Sequence, residues 1–342
     1  MSTRAFITGV SGTGLTAVER DFIRAQRPWG FILFRRNVES PAQVKSLVGE
    51  LRNAAGAPDA PVLIDQEGGR VQRLGPPHWP VYPPGAVFGT LYDADSALGL
   101  RAAWLSARLI AADLADLGIT VDCLPLADVP VAGADAVIGN RAYGTEPAKV
   151  AAIARAVTEG LEQGSVLPVL KHIPGHGRAT ADTHFRLPMV DTSKGELIRT
   201  DFAAFKPLAD LPMAMTAHVV FSAFDPAQPA TTSATMIEQV IRGVIGFQGL
   251  LMSDDVSMNA LAGTIAERTR AILAAGCDVV LHCNGNIDEM REVAGQTPEL
   301  SGKALERANR ALAARQPPRP FDRTAARIEL DALIARADTA SA

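Results

Sequence analysis

The densest group of side chains able to do chemistry lies in KHIPGHGRATADTH, residues 171–184, which carries three of the six histidines in the chain. Glycines flank His176 and let the backbone turn sharply beside a polar side chain. Asp182 and His184 stand two residues apart, close enough for the carboxylate to accept from one imidazole nitrogen. Such a pair fixes the tautomer, raises the basicity of the ring and leaves the other nitrogen free to exchange a proton. The pairing predicts a general acid/base. An Asp–His contact can also merely tie down a loop, but three histidines gathered after one apolar run favour a site.

A second group is SDDVSM, residues 253–258. Successive side chains of an extended backbone point to opposite faces, so only one of the two aspartates is expected to be catalytic. Asp254 follows the apolar run directly and is the better placed; Asp255 is expected to cap or brace the next turn. A third group is LIDQEGGRVQRL, residues 63–74. Asp65 can accept from two vicinal hydroxyls, Arg70 and Arg73 offer donors, and the paired glycines permit close approach to a ligand, a combination that suits a sugar. The same residues could form a surface turn held by salt bridges. Arg141, in VIGNRAYG, is ambiguous in the same way.

Two other patterns are discounted. GVSGTGL near the N-terminus has neither dinucleotide-site glycine spacing nor the Lys-Ser/Thr of a P-loop, and is expected to be a turn. The histidines form neither H-x-H on a first strand nor H-E-x-x-H on a helix, so no metal site and no cofactor is expected.

Positioning these groups requires a scaffold, and its pattern is regular. Short apolar runs, AFITGV, GFILF, PVLID, TVDCLP, VLPVLK, PMAMTAH, LLMSDD and CDVVLHC, alternate with stretches of helical spacing. Among the latter, LTAVERDFIRAQ carries a capping-box pattern at Thr16 and Glu19, and PAKVAAIARAVTEGLEQG ends on Gly164. Alternation of strand and helix predicts a parallel sheet, and eight repeats predict closure into a single (β/α)8 barrel of the α/β class. The runs end on ionisable residues: Asp65, Lys171 with His172, His218, Asp254 and His282. Barrel enzymes place their chemistry at these carboxyl ends.

Connections at 66–93, 128–146 and 172–199 are longer than a barrel needs and are expected to carry function. Residues 1–315 are expected to form the barrel. QPPRPFD then breaks the helical pattern, so 316–342 reads as a linker and a final amphipathic helix that packs on the barrel or on a partner. With 47% apolar and 20% charged residues the chain can bury a large core. A formal charge of −4 gives no broad cationic field for nucleic acid or a membrane surface. No signal peptide or membrane span is apparent, so a cytoplasmic protein is expected, with Cys123, Cys277 and Cys283 reduced in the core.

From about residue 5 to 315 the motifs GFILFRRN, LIDQEGGRVQRL, VIGNRAYG, KHIPGHGRATADTH and SDDVSM together resemble family 3 glycoside hydrolases, specifically single-domain β-N-acetylglucosaminidases of bacterial peptidoglycan recycling. The resemblance implies a metal-independent double displacement with Asp254 as nucleophile and the Asp182–His184 dyad as acid/base. It implies that Asp65, Arg73, Arg141, Lys171 and His172 hold the terminal N-acetylglucosamine of a muropeptide or disaccharide, in a monomer or homodimer. Departures are modest: CLPLADV, residues 123–129, stands for a more usual FAPVLDV, and Ala142 for a commoner Ser. Larger two-domain members take their acid/base from a second domain, which this length does not provide. A β-glucosidase or xylosidase specificity is the nearest alternative, and a metal-dependent barrel hydrolase using His172, His176 and His218 a more distant one.

Overall fold

The structure is a computed structural model that describes residues 2–179, 183 and 186–340; Asp182 and His184 lie outside the described residues. Eight short parallel strands form the closed barrel: β1 (Arg4–Thr8), β2 (Pro28–Leu33), β3 (Val62–Ile64), β4 (Val121–Asp122), β5 (Leu167–Ile173), β6 (Met213–Thr216), β7 (Leu250–Asp255) and β8 (Val279–His282). Each pairs with its neighbour in the chain, and β1 closes the ring against β8 through Phe6↔Val280 and Thr8↔His282. The period of two along each strand sorts the core into two layers. Ile7, Leu63, Val169, Met215 and Met252 fill the barrel interior, whereas Phe6, Phe31, Val62 and Leu251 face the surrounding helices.

The helices are α1 (Ala17–Gln26), α2 (Pro41–Ala55), α3 (Gly85–Ala94), α4 (Ser96–Leu117), α5 (Pro147–Gln163), α6 (Lys194–Arg199), α7 (Ile265–Ala275), α8 (Ile287–Gln296), α9 (Gly302–Ala313) and α10 (Arg323–Ala340), with a π-helical segment at Met236–Ile245. Their ends follow from side-chain chemistry. The Thr16–Glu19 and Thr264–Glu267 capping boxes satisfy first-turn N–H groups of α1 and α7, and Gly56, Gly118 and Gly276 end α2, α4 and α7 in the left-handed conformation that other residues resist. Among the described residues no helix is long and apolar enough to cross a membrane.

One long connection differs from expectation. Residues 66–93 hold a two-stranded hairpin, Gln66–Gly68 with Val71–Gln72, and then α3 from Gly85 onward. The glycines of GAVFGTLYDA have a packing reason: a Cβ on Gly85 or Gly89 would come within 2.1 Å of the carbonyl oxygen of Arg141 or Tyr143. The C-terminal helix α10 lies on α3 and α4, buries Leu330 and is pinned by Arg323 to Asp116 at 2.6 and 2.9 Å and by Glu329 to Arg101 at 2.7 Å.

Candidate active site

A recess at the carboxyl ends of the strands is lined by Asp65, Arg73, Arg141, Lys171, His172, His176, Asp254 and Asp255, with Phe34, Val137, Ile138 and Met258 around them. Of the described residues that the sequence nominated for substrate or nucleophile, Asp65, Arg73, Arg141, Lys171, His172 and Asp254 therefore border one cavity, and Arg70 does not. Adjacent residues can share it because the ladders are irregular there: the register shifts between Leu170 and Ile173 on β5 and between Met252 and Asp255 on β7. This corrects the expectation that strand alternation would turn one aspartate away.

Hydrogen bonding, not direction, separates the two aspartates. Asp255 Oδ1 accepts from Ser257 N at 3.0 Å and Cys283 N at 3.1 Å, and Oδ2 from Ser257 Oγ at 2.6 Å, so this carboxylate braces the turn. Asp254 Oδ1 accepts from Asp255 N at 2.8 Å. Burial works against the charge of Asp254, but the imidazoles of His218 and His172 and that N–H outweigh it and hold the carboxyl below its usual range. Asp254 is therefore an anion at neutral pH.

Around it runs a charged lattice. Lys171, which is 2% exposed, places Nζ 2.8 Å from Asp65 Oδ1 and 2.6 Å from Glu67 Oε1. Glu67 in turn accepts a bidentate pair from Arg141 Nε and Nη2, both at 2.8 Å. Arg73 reaches Asp65 Oδ2 at 3.1 Å and stacks its guanidinium 5.3 Å from the Phe34 ring centroid. Burial alone would raise the Asp65 pKa, but Lys171 and then Arg73 hold it well below the carboxylate range. Fixed acceptors and donors of this kind, in a recess shielded from water, suit the hydroxyl pattern of one sugar.

Sequence reasoning missed two members. Glu67 lies inside a segment already singled out, yet nothing local marks it as the link between Lys171 and Arg141. Asp128, fully buried, accepts from His172 Nδ1 at 2.7 Å and from His176 N at 2.7 Å; its only sequence signal is an acid shortly after the fourth apolar run. Three expected donors lie elsewhere. Arg70 is exposed and ties its guanidinium to the carbonyls of Ala136, Val137 and Ile138. His282 turns toward α8 and meets Glu289 Oε2 at 3.2 Å. His218 has both ring nitrogens engaged, by Thr231 Oγ1 at 2.7 Å and the Asp255 carbonyl at 3.0 Å, which leaves it no lone pair for a metal in common with His172 and His176. Among the described residues no group of three or more His, Cys, Asp or Glu side chains is arranged to hold a metal ion. Thr183 lines the recess, and its carbonyl accepts from Ala260 N at 3.1 Å.

A closed eight-stranded α/β barrel with an ionised carboxylate and a lattice of buried ion pairs at its carboxyl face has the layout of a barrel enzyme. The glycosyl hydrolase family 3 N-terminal domain matches residues 12–313, and the chain belongs to this family. A beta-hexosaminidase of Bordetella avium is 35% identical over 302 residues, covering 87% of this chain and 82% of that one. A beta-hexosaminidase of Chromobacterium violaceum is 37% identical over 305 residues, covering 88% and 84%. The crystal structure of NagZ from Neisseria gonorrhoeae in complex with N-trifluoroacetyl-D-glucosamine superposes with a TM-score of 0.84 at 30% identity, covering 100% of this chain and 99% of that one.

Proposed function

We propose that this glycoside hydrolase is a retaining exo-β-N-acetylglucosaminidase that removes terminal N-acetylglucosamine from peptidoglycan fragments, GlcNAc-anhydroMurNAc and its peptides, in the cytoplasm. The observation that carries the reading is the ionised Asp254 facing the Asp65–Lys171–Arg73 lattice across one recess. The beta-hexosaminidase relatives and the N-acylglucosamine bound to the Neisseria protein support the choice of sugar.

In the first step an oxygen of Asp254 attacks the anomeric carbon as the bond to the leaving oxygen breaks, and His184, as imidazolium, gives that oxygen its proton. In the second, neutral His184 takes a proton from water, whose oxygen attacks the same carbon and expels the Asp254 carboxylate. Two inversions give net retention. Asp182 orients the imidazole. Asp65, Arg73, Arg141, Lys171 and His172 hold the sugar, and the chemistry requires neither cofactor nor metal.

The test is His184→Ala. Protonation matters most for a sugar alkoxide and least for a stabilised phenolate, so the variant should form the glycosyl-enzyme far faster from 4-nitrophenyl β-N-acetylglucosaminide than from a disaccharide, then stall after a burst. Azide needs no deprotonation and should restore turnover, giving a β-glycosyl azide. Equal slowing of both substrates with no rescue by azide would remove His184 from the role.

A further inference from the structure

Asp128 is a wholly buried carboxylate that touches His172 and His176 among the residues nominated from the sequence, and the reaction as written makes no use of it. It sits where the chain beyond β4 lies against the chain leaving β5. Ala127 N donates to Lys171 O at 2.8 Å and Asp135 N to Ala179 O at 2.8 Å on either side of it. The two segments approach so closely that a Cβ on Gly177 would lie 2.1 Å from Val129 O. Three donors converge on the Asp128 carboxylate: His176 N at 2.7 Å and His172 N at 3.3 Å on Oδ1, and the His172 ring Nδ1 at 2.7 Å on Oδ2. Burial opposes the charge of this group, but His172 and the converging donors outweigh it, and the carboxyl lies below its ordinary range.

An ionised carboxylate only accepts. The nitrogen facing it must therefore carry hydrogen, and a histidine fixed as the Nδ1–H tautomer has its remaining lone pair on Nε2, on the opposite edge of the ring. That edge belongs to a residue that lines the recess beside Lys171 and Asp254. We infer that Asp128 is a positioning residue for sugar binding: it selects the His172 tautomer that accepts a hydrogen bond at Nε2 from a sugar hydroxyl. When the ring is neutral, the lattice then offers that sugar a lone pair alongside its charged donors and acceptors. The inference rests on the proposed glycosidase reading for its substrate, but not for the tautomer, which exists without substrate.

Asp128→Asn isolates the point. The amide oxygen can still accept from both backbone N–H groups, while an NH2 opposite the ring can only donate and so forces the Nε2–H form. In 15N-histidine-labelled protein, with His172 assigned by its loss in His172→Gln, the ring nitrogens should report Nδ1–H in the unmodified chain and Nε2–H in the variant. KM for 4-nitrophenyl β-N-acetylglucosaminide should rise by roughly 10- to 100-fold, the size of effect that losing an orienting partner has at other sites, with kcat changed much less. In a His172→Ala background the same substitution should add less than about twofold, because the interaction it removes is already gone. Finding Nε2–H in the unmodified protein would overturn the inference without recourse to any variant. So would an unchanged KM in a variant whose tautomer has inverted, or a KM penalty that persists undiminished without the imidazole, which would assign Asp128 to the loop alone. Absence of hydrolysis with the Nδ1–H form intact would count against the glycosidase reading instead.

Discussion

Lys171 Nζ lies 2.8 Å from Asp65 Oδ1, joining strand ends 106 positions apart in the chain. With Glu67 on its other side, the ammonium neutralises two carboxylates that water does not reach well enough to stabilise. Lys171→Met should therefore lower stability by about 3–5 kcal/mol, as breaking a buried ion pair does. The penalty depends on pH. Asp65 is held below its unfolded value, so its contribution is fully present above about pH 4 and is lost as pH falls further. Urea unfolding of both proteins should show the gap between them narrowing below that pH; a gap that widens in acid would contradict the pairing.

Glu67→Gln should leave the fold standing while loosening Arg141, which would lose its bidentate partner. KM should rise by roughly 10-fold, with a smaller change in kcat, if Arg141 binds substrate equally in ground and transition states. A fall in kcat at constant KM would place Glu67 in the chemistry.

Asp254→Asn keeps the acceptor for Asp255 N and removes the nucleophile, so kcat should drop by roughly 10^4-fold or more with the melting temperature little changed. Asp255→Ala should show the reverse balance. It loses bonds to Ser257 N, Ser257 Oγ and Cys283 N and should cost about 2–3 kcal/mol of stability. If the two variants rank the other way in kcat while both remain folded, the nucleophile has been misassigned.

The pH profile of kcat/KM should be lopsided. Asp254, held below the ordinary carboxylate range, stays ionised down to below about pH 4. The alkaline side should fall with unit slope as the His184 imidazolium loses the proton it must give to the leaving oxygen. In His184→Ala, measured with the aryl substrate, that alkaline limb should vanish; its persistence would assign the titration to another group.

Beneath the lattice lies Asp122, whose carboxyl burial pushes well above the usual range while Oδ1 accepts from Gln66 N at 3.0 Å. A raised folded value means that the unfolded chain releases its proton first, so the native state loses stability as pH rises above about 4. Asp122→Asn keeps the acceptor and has no proton to hold. Its melting temperature relative to the unmodified protein should therefore climb between pH 4.5 and 8; a constant difference would mean that the carboxyl ionises in place.

Much of the barrel is legible in the sequence. The eight apolar runs are the eight barrel strands because a strand buried on both faces must be apolar throughout, and its carboxyl end is the first place where an ionisable group can meet solvent. That logic puts Asp65, Lys171, His172 and Asp254 at the barrel mouth, and all four line the recess. It failed for His282, because only the position of Glu289 on α8 decides which way the ring turns. Arg70, nominated from its glycine-rich segment and not from a strand end, turns away because its carbonyl partners come from the distant stretch 136–138. Asp128 and Glu67 were missed for the complementary reason: each acts by receiving donors from segments far along the chain, and no local pattern records a convergence.

The pairing of β1 with β8 fixes when this enzyme can first exist. Thr8 has no barrel partner on one side until His282 has been made, so the ring stays open while almost the whole chain is synthesised. At roughly 5–20 residues per second, the nascent polypeptide spends on the order of 15–60 s with unpaired strand edges and apolar faces that have nothing to cover them. Closure by such distant segments is also intrinsically slow. Yield in a heterologous host should thus respond to chaperone supply and growth temperature more than to the stability of the finished barrel.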